Sequence, residues 1–242
     1  MAIERRRFLQ SALALPLIAA QRPPAGVDWS KWFHGWFERD FGMIGYYAED
    51  NHKLLASREP VDIVFMGDSI TEGWRDKRPG FFTPGRIDRG IGGQTSSQMV
   101  LRMYSDVIAL KPKAVHIMAG TNDVAGNTGP MTAEMSENNI RAMSDIARRH
   151  GIRVLLAPVP PAASFPWRPG LETRPRIAEL NRRLERFARE SGATWVDYRR
   201  VLDDGMGAMK PGLASDGVHP TGAGYDAMAT VIEPILRKVL RR

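Results

Sequence analysis

Val61-Asp62-Ile63-Val64-Phe65-Met66-Gly67-Asp68-Ser69-Ile70-Thr71-Glu72-Gly73-Trp74 reads as an apolar, β-branched run that halts at a glycine and delivers a serine into a turn. A strand buried on both faces has this composition, and an open α/β sheet places its chemistry beyond the carboxyl ends of such strands. Ser69 falls at that place. The plainer account of Gly67-Asp68-Ser69 is an ordinary strand-to-helix turn in which Ser69 or Asp68 caps the helix. The rest of the chain has to decide between the two.

Outward from this stretch the pattern alternates. Further short apolar runs at 85–91, 114–119, 152–157 and 194–197 read as strands. Between them lie a short helical turn from Ser69 and helical patterns over 95–110, from Thr132 to the stop at His150-Gly151, over 174–191 and over 222–240. Met99, Met103, Val107 and Leu110 recur on one face of the first long helix, and Pro112 ends it. Strands alternating with helices imply βαβ units, a five-stranded parallel sheet and an α/β fold. No internal repeat, low-complexity tract or second domain interrupts the pattern over 60–242, which is expected to be one domain. His116 sits inside a strand and is expected to be a core histidine.

The bulk numbers exclude several chemistries. The chain has 242 residues, 43% hydrophobic and 25% charged, with no cysteine. Thiol catalysis, disulfides and cysteine zinc sites are therefore out. The net charge of +7 comes from arginines scattered through helical segments without interleaved aromatics, so no nucleic-acid partner is expected. There is no His-x-x-x-His and no carboxylate cluster, so no metal and no other cofactor is expected.

The N-terminus reads as an address. Arg5-Arg6-Arg7-Phe8-Leu9 precedes the apolar run from Ser11 to Ala20, as in a secretory signal of the twin-arginine type. That run is too short for a stable membrane anchor. Residues 1–25 are thus expected to be signal and linker, and the protein exported to the periplasm or beyond. Residues 26–59, with Trp29, Trp32, Phe33, Trp36 and Phe37 at roughly helical spacing, are expected to form a helical segment packed on the domain's side.

Four polar or glycine-rich stretches fall beyond strand ends or after the last strand: Gly67-Asp68-Ser69, Gly92-Gly93-Gln94, Gly120-Thr121-Asn122-Asp123 and Asp216-Gly217-Val218-His219. Each alone is an ordinary turn composition. Together they supply an acyl-transfer site, because a wound sheet converges such loops on one crevice. Ser69 offers a hydroxyl, and His219 is the only histidine among the four loops to take its proton. Asp216, three residues before His219, can reach the imidazole within one turn. The Ser69 and Gly93 N–H groups and the Asn122 amide can cradle an oxyanion. Asp68 and Asp123 are expected to brace their loops, while Trp74 and Trp167 are candidates for the substrate pocket or for packing.

These four blocks, in this order, resemble those of the SGNH, or GDSL, hydrolases over about residue 62 to the C-terminus. The resemblance implies a flavodoxin-like three-layer α/β/α sandwich. It makes Ser69 the nucleophile, Asp216 and His219 the other triad members, and Gly93 (with Gly92 as the neighbouring alternative) and Asn122 oxyanion donors beside the Ser69 N–H. Gly67-Asp68-Ser69-Ile70-Thr71-Glu72-Gly73-Trp74 and Arg89-Gly90-Ile91-Gly92-Gly93 look most like the branch near platelet-activating-factor acetylhydrolase and bacterial acetylesterases, which implies short acyl groups, often acetyl. Gln94 stands where many relatives carry aspartate, and the exchange is expected to alter the crevice wall.

Rival readings fare worse. An α/β-hydrolase elbow needs Gly-x-Ser-x-Gly, and Thr71 occupies the last position. A nucleotide binder would need a P-loop lysine or a Gly-x-Gly-x-x-Gly after a strand. Degenerate carbohydrate binding does not account for a complete set of Ser69, Asn122, Asp216 and His219. Three acyl-transfer readings remain: an esterase acting on acetylated carbohydrate or a small-molecule ester, a lysophospholipase or thioesterase, and an O-acetyltransferase using the same triad.

Overall fold

The computed structural model describes residue 35 and residues 38–241. The expected signal, the linker and the aromatic stripe of Trp29, Trp32, Phe33, Trp36 and Phe37 lie outside the described residues.

Five parallel strands form one sheet: β1 (Ile63–Gly67), β2 (Arg86–Gly90), β3 (Ala114–Met118), β4 (Arg153–Leu156) and β5 (Thr194–Trp195). Their spatial order is β2-β1-β3-β4-β5. All five residues of β1 and of β3 are buried, as expected of strands covered on both faces. The helices are α1 (Ala48–Ser57), α2 (Ser69–Lys77), α3 (Ser96–Leu101), α4 (Thr121–Ala125), α5 (Ala133–Arg149), α6 (Thr173–Ser191), α7 (Arg199–Leu202) and α8 (Gly222–Leu240). Packing sorts most of them into two layers, α2 and α7 against α8 on one face, and α3 with α5, α4 and α6 on the other. The result is the expected three-layer α/β/α sandwich.

Order and register together place the site. The strand order reverses at β1, so the loop after β2 and the loop after β3 leave the sheet on either side of the loop after β1. Gly67 is in register with Gly90 on one side and Met118 on the other. Three loops therefore rise from one level of the sheet.

Four elements depart from the sequence reading. The turn from Ser69 is a full helix, capped by Asp68. The stretch after Gly120 is itself a single helical turn, α4. Strand β5 stops at Trp195, since Asp197 bends away to bind the Arg199 backbone and guanidinium. The expected helix over 95–110 is α3 followed by a π-helical turn, Tyr104–Ile108. There Arg102 and Asp106 turn inward and pair while wholly buried, which an apolar stripe of methionines does not announce.

Candidate active site

The turn that carries Ser69 is built by exclusion of a side chain. A Cβ on Gly67 would lie 2.0 Å from Thr71 Oγ1 and 3.0 Å from the Met118 carbonyl. Helix α2 thus folds back directly over the end of β1, and only glycine permits it. Asp68 is the cap: Oδ1 accepts the Ile70 N–H at 2.9 Å and its carbonyl accepts from Thr71 and Glu72. Burial pushes the Asp68 carboxyl up to about 6, with the Ile70 N–H offsetting part of the rise. Because the cap is Asp68, the Ser69 hydroxyl is left for other work.

That hydroxyl meets a histidine 150 residues away. Ser69 Oγ lies 2.9 Å from His219 Nε2, and His219 Nδ1 lies 2.7 Å from Asp216 Oδ2. A carboxylate only accepts, so Nδ1 carries the proton and Nε2 is the free acceptor facing the serine. Asp216 is aimed by its own loop, its other oxygen accepting the Val218 and His219 N–H groups at 3.0 and 2.8 Å. Partial burial works to raise its carboxyl, but these bonds and the imidazole outweigh it and hold the group below its ordinary value. The three sequence-predicted residues are therefore joined in one relay.

The candidate oxyanion donors are the Ser69 and Gly93 N–H groups and the Asn122 amide. Gly93 has a φ of 77°, in the left-handed region that favours glycine. The Gly92 N–H donates to Glu72 Oε2 at 2.9 Å, whereas the Gly93 N–H has no backbone acceptor among the described residues. Of the two neighbouring glycines, Gly93 is thus the one with a donor to spare. The Ser69 N–H lies in the first turn of α2, where no intrahelical acceptor exists. Asn122 uses one amide hydrogen on the Gln94 carbonyl at 3.0 Å, and its oxygen accepts from Asn127 Nδ2 at 2.8 Å. That pairing fixes the amide's orientation and leaves a second hydrogen. Asp123 is buried and binds the Ser96 N–H and hydroxyl, so it braces α4 against α3.

The two tryptophans part company. Trp167 is 38% exposed, stacked 5.0 Å from Phe165, and its ring lies 5.9 Å from that of His219. It stands at the site. Trp74 does not: it is fully buried, stacked between Phe81 at 4.4 Å and Tyr225 at 5.4 Å. Gln94 is likewise fully buried rather than on the crevice wall. His116 is a core histidine, its Nε2 3.1 Å from the Tyr198 hydroxyl, and burial pushes it down to about 3, so it stays neutral. Beside the site, a cavity of about 640 Å³ is lined by Asp123, Gly126, Met131, Arg168 and Leu171 among others. Two contributors escape a sequence reading. Asn127 reads as a turn residue, and Glu72 reads as a solvated helix charge; only the fold brings them to the Asn122 amide and the Gly92 N–H.

Known proteins share this fold. Residues 65–227 match the model of the GDSL-like Lipase/Acylhydrolase family. The crystal structure of a GDSL-like lipase from Bacteroides thetaiotaomicron is 42% identical, with a TM-score of 0.77, covering 82% of this chain and 99% of that one. Esterase TesA from Pseudomonas aeruginosa is 27% identical over 158 residues, 64% of this chain and 70% of that protein. At the level of the fold alone, an acetyl xylan esterase from Geobacillus stearothermophilus is similar, with 22% identity and a TM-score of 0.60 over 75% of this chain and 95% of that one. The chain belongs to the GDSL-like lipase/acylhydrolase family and is a carboxylic ester hydrolase.

Proposed function

We propose that this protein is an exported serine esterase that removes short acyl groups, chiefly acetyl, from a small-molecule or carbohydrate alcohol. The observation that carries the reading is the unbroken relay from Ser69 Oγ through His219 to Asp216, at 2.9 and 2.7 Å. His219 Nε2 takes the Ser69 proton as Oγ attacks the ester carbonyl. Asp216 stabilises the imidazolium that results. The carbonyl oxygen becomes an oxyanion held by the Ser69 N–H, the Gly93 N–H and the Asn122 amide. His219 then protonates the departing alcohol, leaving an acyl group on Ser69. Water, deprotonated by the same imidazole, releases the acid and restores the hydroxyl.

The Trp167 ring, braced on Phe165, stands beside His219 as an apolar wall against which a short acyl group can pack. The fold-level likeness to an acetyl xylan esterase points the same way. Export is supported by Arg5-Arg6-Arg7 and the apolar run behind it. The test is a kcat/KM series over 4-nitrophenyl esters from acetyl to decanoyl, run beside acetylated xylan and a lysophospholipid, with and without an alcohol acceptor. Values should fall steadily beyond acetyl, with free acetate as product. A maximum at long chains, or acetyl passing to the alcohol in preference to water, overturns the reading.

A further inference from the structure

Gln94 lies at the centre of a buried polar network that ties the site to a segment outside the family match. The match spans 65–227, whereas the residues just before α1 lie upstream of it. Gln94 is wholly buried, and all four of its hydrogen-bonding groups are occupied. Its side-chain Nε2 donates to the Gly42 carbonyl at 3.1 Å, and Oε1 accepts from Arg102 Nε at 2.6 Å. Its backbone N–H donates to the Ile91 carbonyl at 3.3 Å, and its carbonyl accepts from Asn122 Nδ2 at 3.0 Å.

Arg102, also wholly buried, spends the rest of its guanidinium on the same neighbourhood. It donates to the Gly67 carbonyl at 3.1 Å and the Arg89 carbonyl at 2.7 Å, the ends of β1 and β2, and pairs with Asp106 at 2.9 Å. Asp106 in turn accepts from Asn51 Nδ2 at 2.7 Å, and Asn51 Oδ1 accepts from Arg89. One planar fork thus registers the strand that delivers Ser69 against the loop that delivers Gly93. A buried network in which each of these contacts is made is stiff, and removing one partner leaves others unpaired.

We propose that Gln94 is a positioning residue for ester hydrolysis: clamped between Arg102 and the Gly42 carbonyl, it holds both oxyanion donors that adjoin it, the Gly93 N–H through the chain and the Asn122 amide through its own carbonyl. The segment carrying Gly42 and Asn51 is on this account part of the catalytic unit. The inference rests on the esterase reading above. An oxyanion donor is worth about 10²–10³ in turnover when removed, so a displaced pair costs a fraction of that.

The test compares Gln94→Met, which loses both clamps, with Gln94→Glu, which keeps an acceptor for Arg102 and loses only the donor to Gly42. Steady-state kinetics on 4-nitrophenyl acetate are read beside the rate of fluorophosphonate labelling and the folded fraction by circular dichroism. Gln94→Met should lower kcat by roughly 10- to 100-fold with KM within about threefold, and slow labelling in proportion, since phosphonylation uses the same oxyanion donors. Gln94→Glu should recover part of both. If Gln94→Met does not fold, Gln94→Asn, which withdraws the amide from both anchors, is read in its place. A folded Gln94→Met or Gln94→Asn with kcat within threefold of wild type overturns the proposal, as does a loss that tracks only the unfolded fraction. Wild-type protein and Ser69→Ala run in parallel: turnover surviving in Ser69→Ala condemns the serine mechanism itself, a different failure from this one.

Discussion

Asp88, buried in β2, shows how far a single residue of this chain departs from its solution chemistry. Burial pushes its carboxyl from 3.8 up to about 7, and the Gly90 N–H at 2.7 Å and Arg75 at 3.6 Å offset only part of the rise. Its Oδ2 has no hydrogen-bond partner among the described residues. Between about pH 4 and about 7 the folded chain holds a proton that the unfolded chain has released, so stability falls as pH rises through that window. Asp68, raised to about 6, adds to the same slope below its own value. Asp88→Asn keeps an acceptor for Gly90 and removes the titration. Urea unfolding should show a shallower pH dependence and, above pH 7, a gain on the order of 1–4 kcal/mol, a tenfold change in proton affinity being worth about 1.4 kcal/mol. A variant whose stability runs parallel to wild type at every pH contradicts the assignment. At this scale the candidate catalytic residues are the most legible. Ser69, Asp216 and His219 are set by local chemistry and spacing, whereas the burial of Trp74 depends on Tyr225, which the chain reaches only after four more strands. Gln94 escapes for the same reason: a buried amide and a surface amide are identical in sequence.

At the scale of elements, the site depends on two backbones touching. A Cβ on Gly90 would lie 2.1 Å from the Glu72 backbone nitrogen and 2.7 Å from the Thr71 carbonyl carbon. Both obstacles are main chain, so neither can rotate away. Gly90→Ala should cost about 3 kcal/mol, the upper end of overpacking penalties, and lower kcat as α2 and Ser69 are pushed aside. Gly80→Ala, where nothing lies within 4 Å, should stay within about 0.5 kcal/mol of wild type. Equal unfolding midpoints for the two variants would contradict this packing. The strands and the long helices α5, α6 and α8 are readable because hydropathy repeats over many residues. The break between α3 and the π-helical turn is not, because the buried ion pair of Arg102 and Asp106 decides it and the apolar stripe of Met99, Met103 and Val107 suits an unbroken helix equally well.

For the whole molecule, the alternation of elements implies a parallel α/β sheet and the family resemblance a three-layer sandwich, but nothing in spacing fixes the order β2-β1-β3-β4-β5, which the structure supplies. The order matters, since it puts the end of β1 between the two loops that supply Gly93 and Asn122, and α8 follows directly on the loop that returns His219. The upstream segment is legible only as aromatic and helical. Its bonds to Gln94, Arg89 and Asp106 run through Gly42 and Asn51, polar groups whose partners lie 38 to 55 residues further along the chain. The central claim is that the chemistry passes through a covalent acyl group on Ser69. It is tested by mixing the protein with 4-nitrophenyl acetate, quenching in acid within one turnover, and mapping the adduct by peptide mass spectrometry. One acetyl group is expected on the Ser69 peptide, with a matching burst of 4-nitrophenol, and neither in Ser69→Ala. Acetyl on a different residue, or a burst that survives in Ser69→Ala, would contradict it.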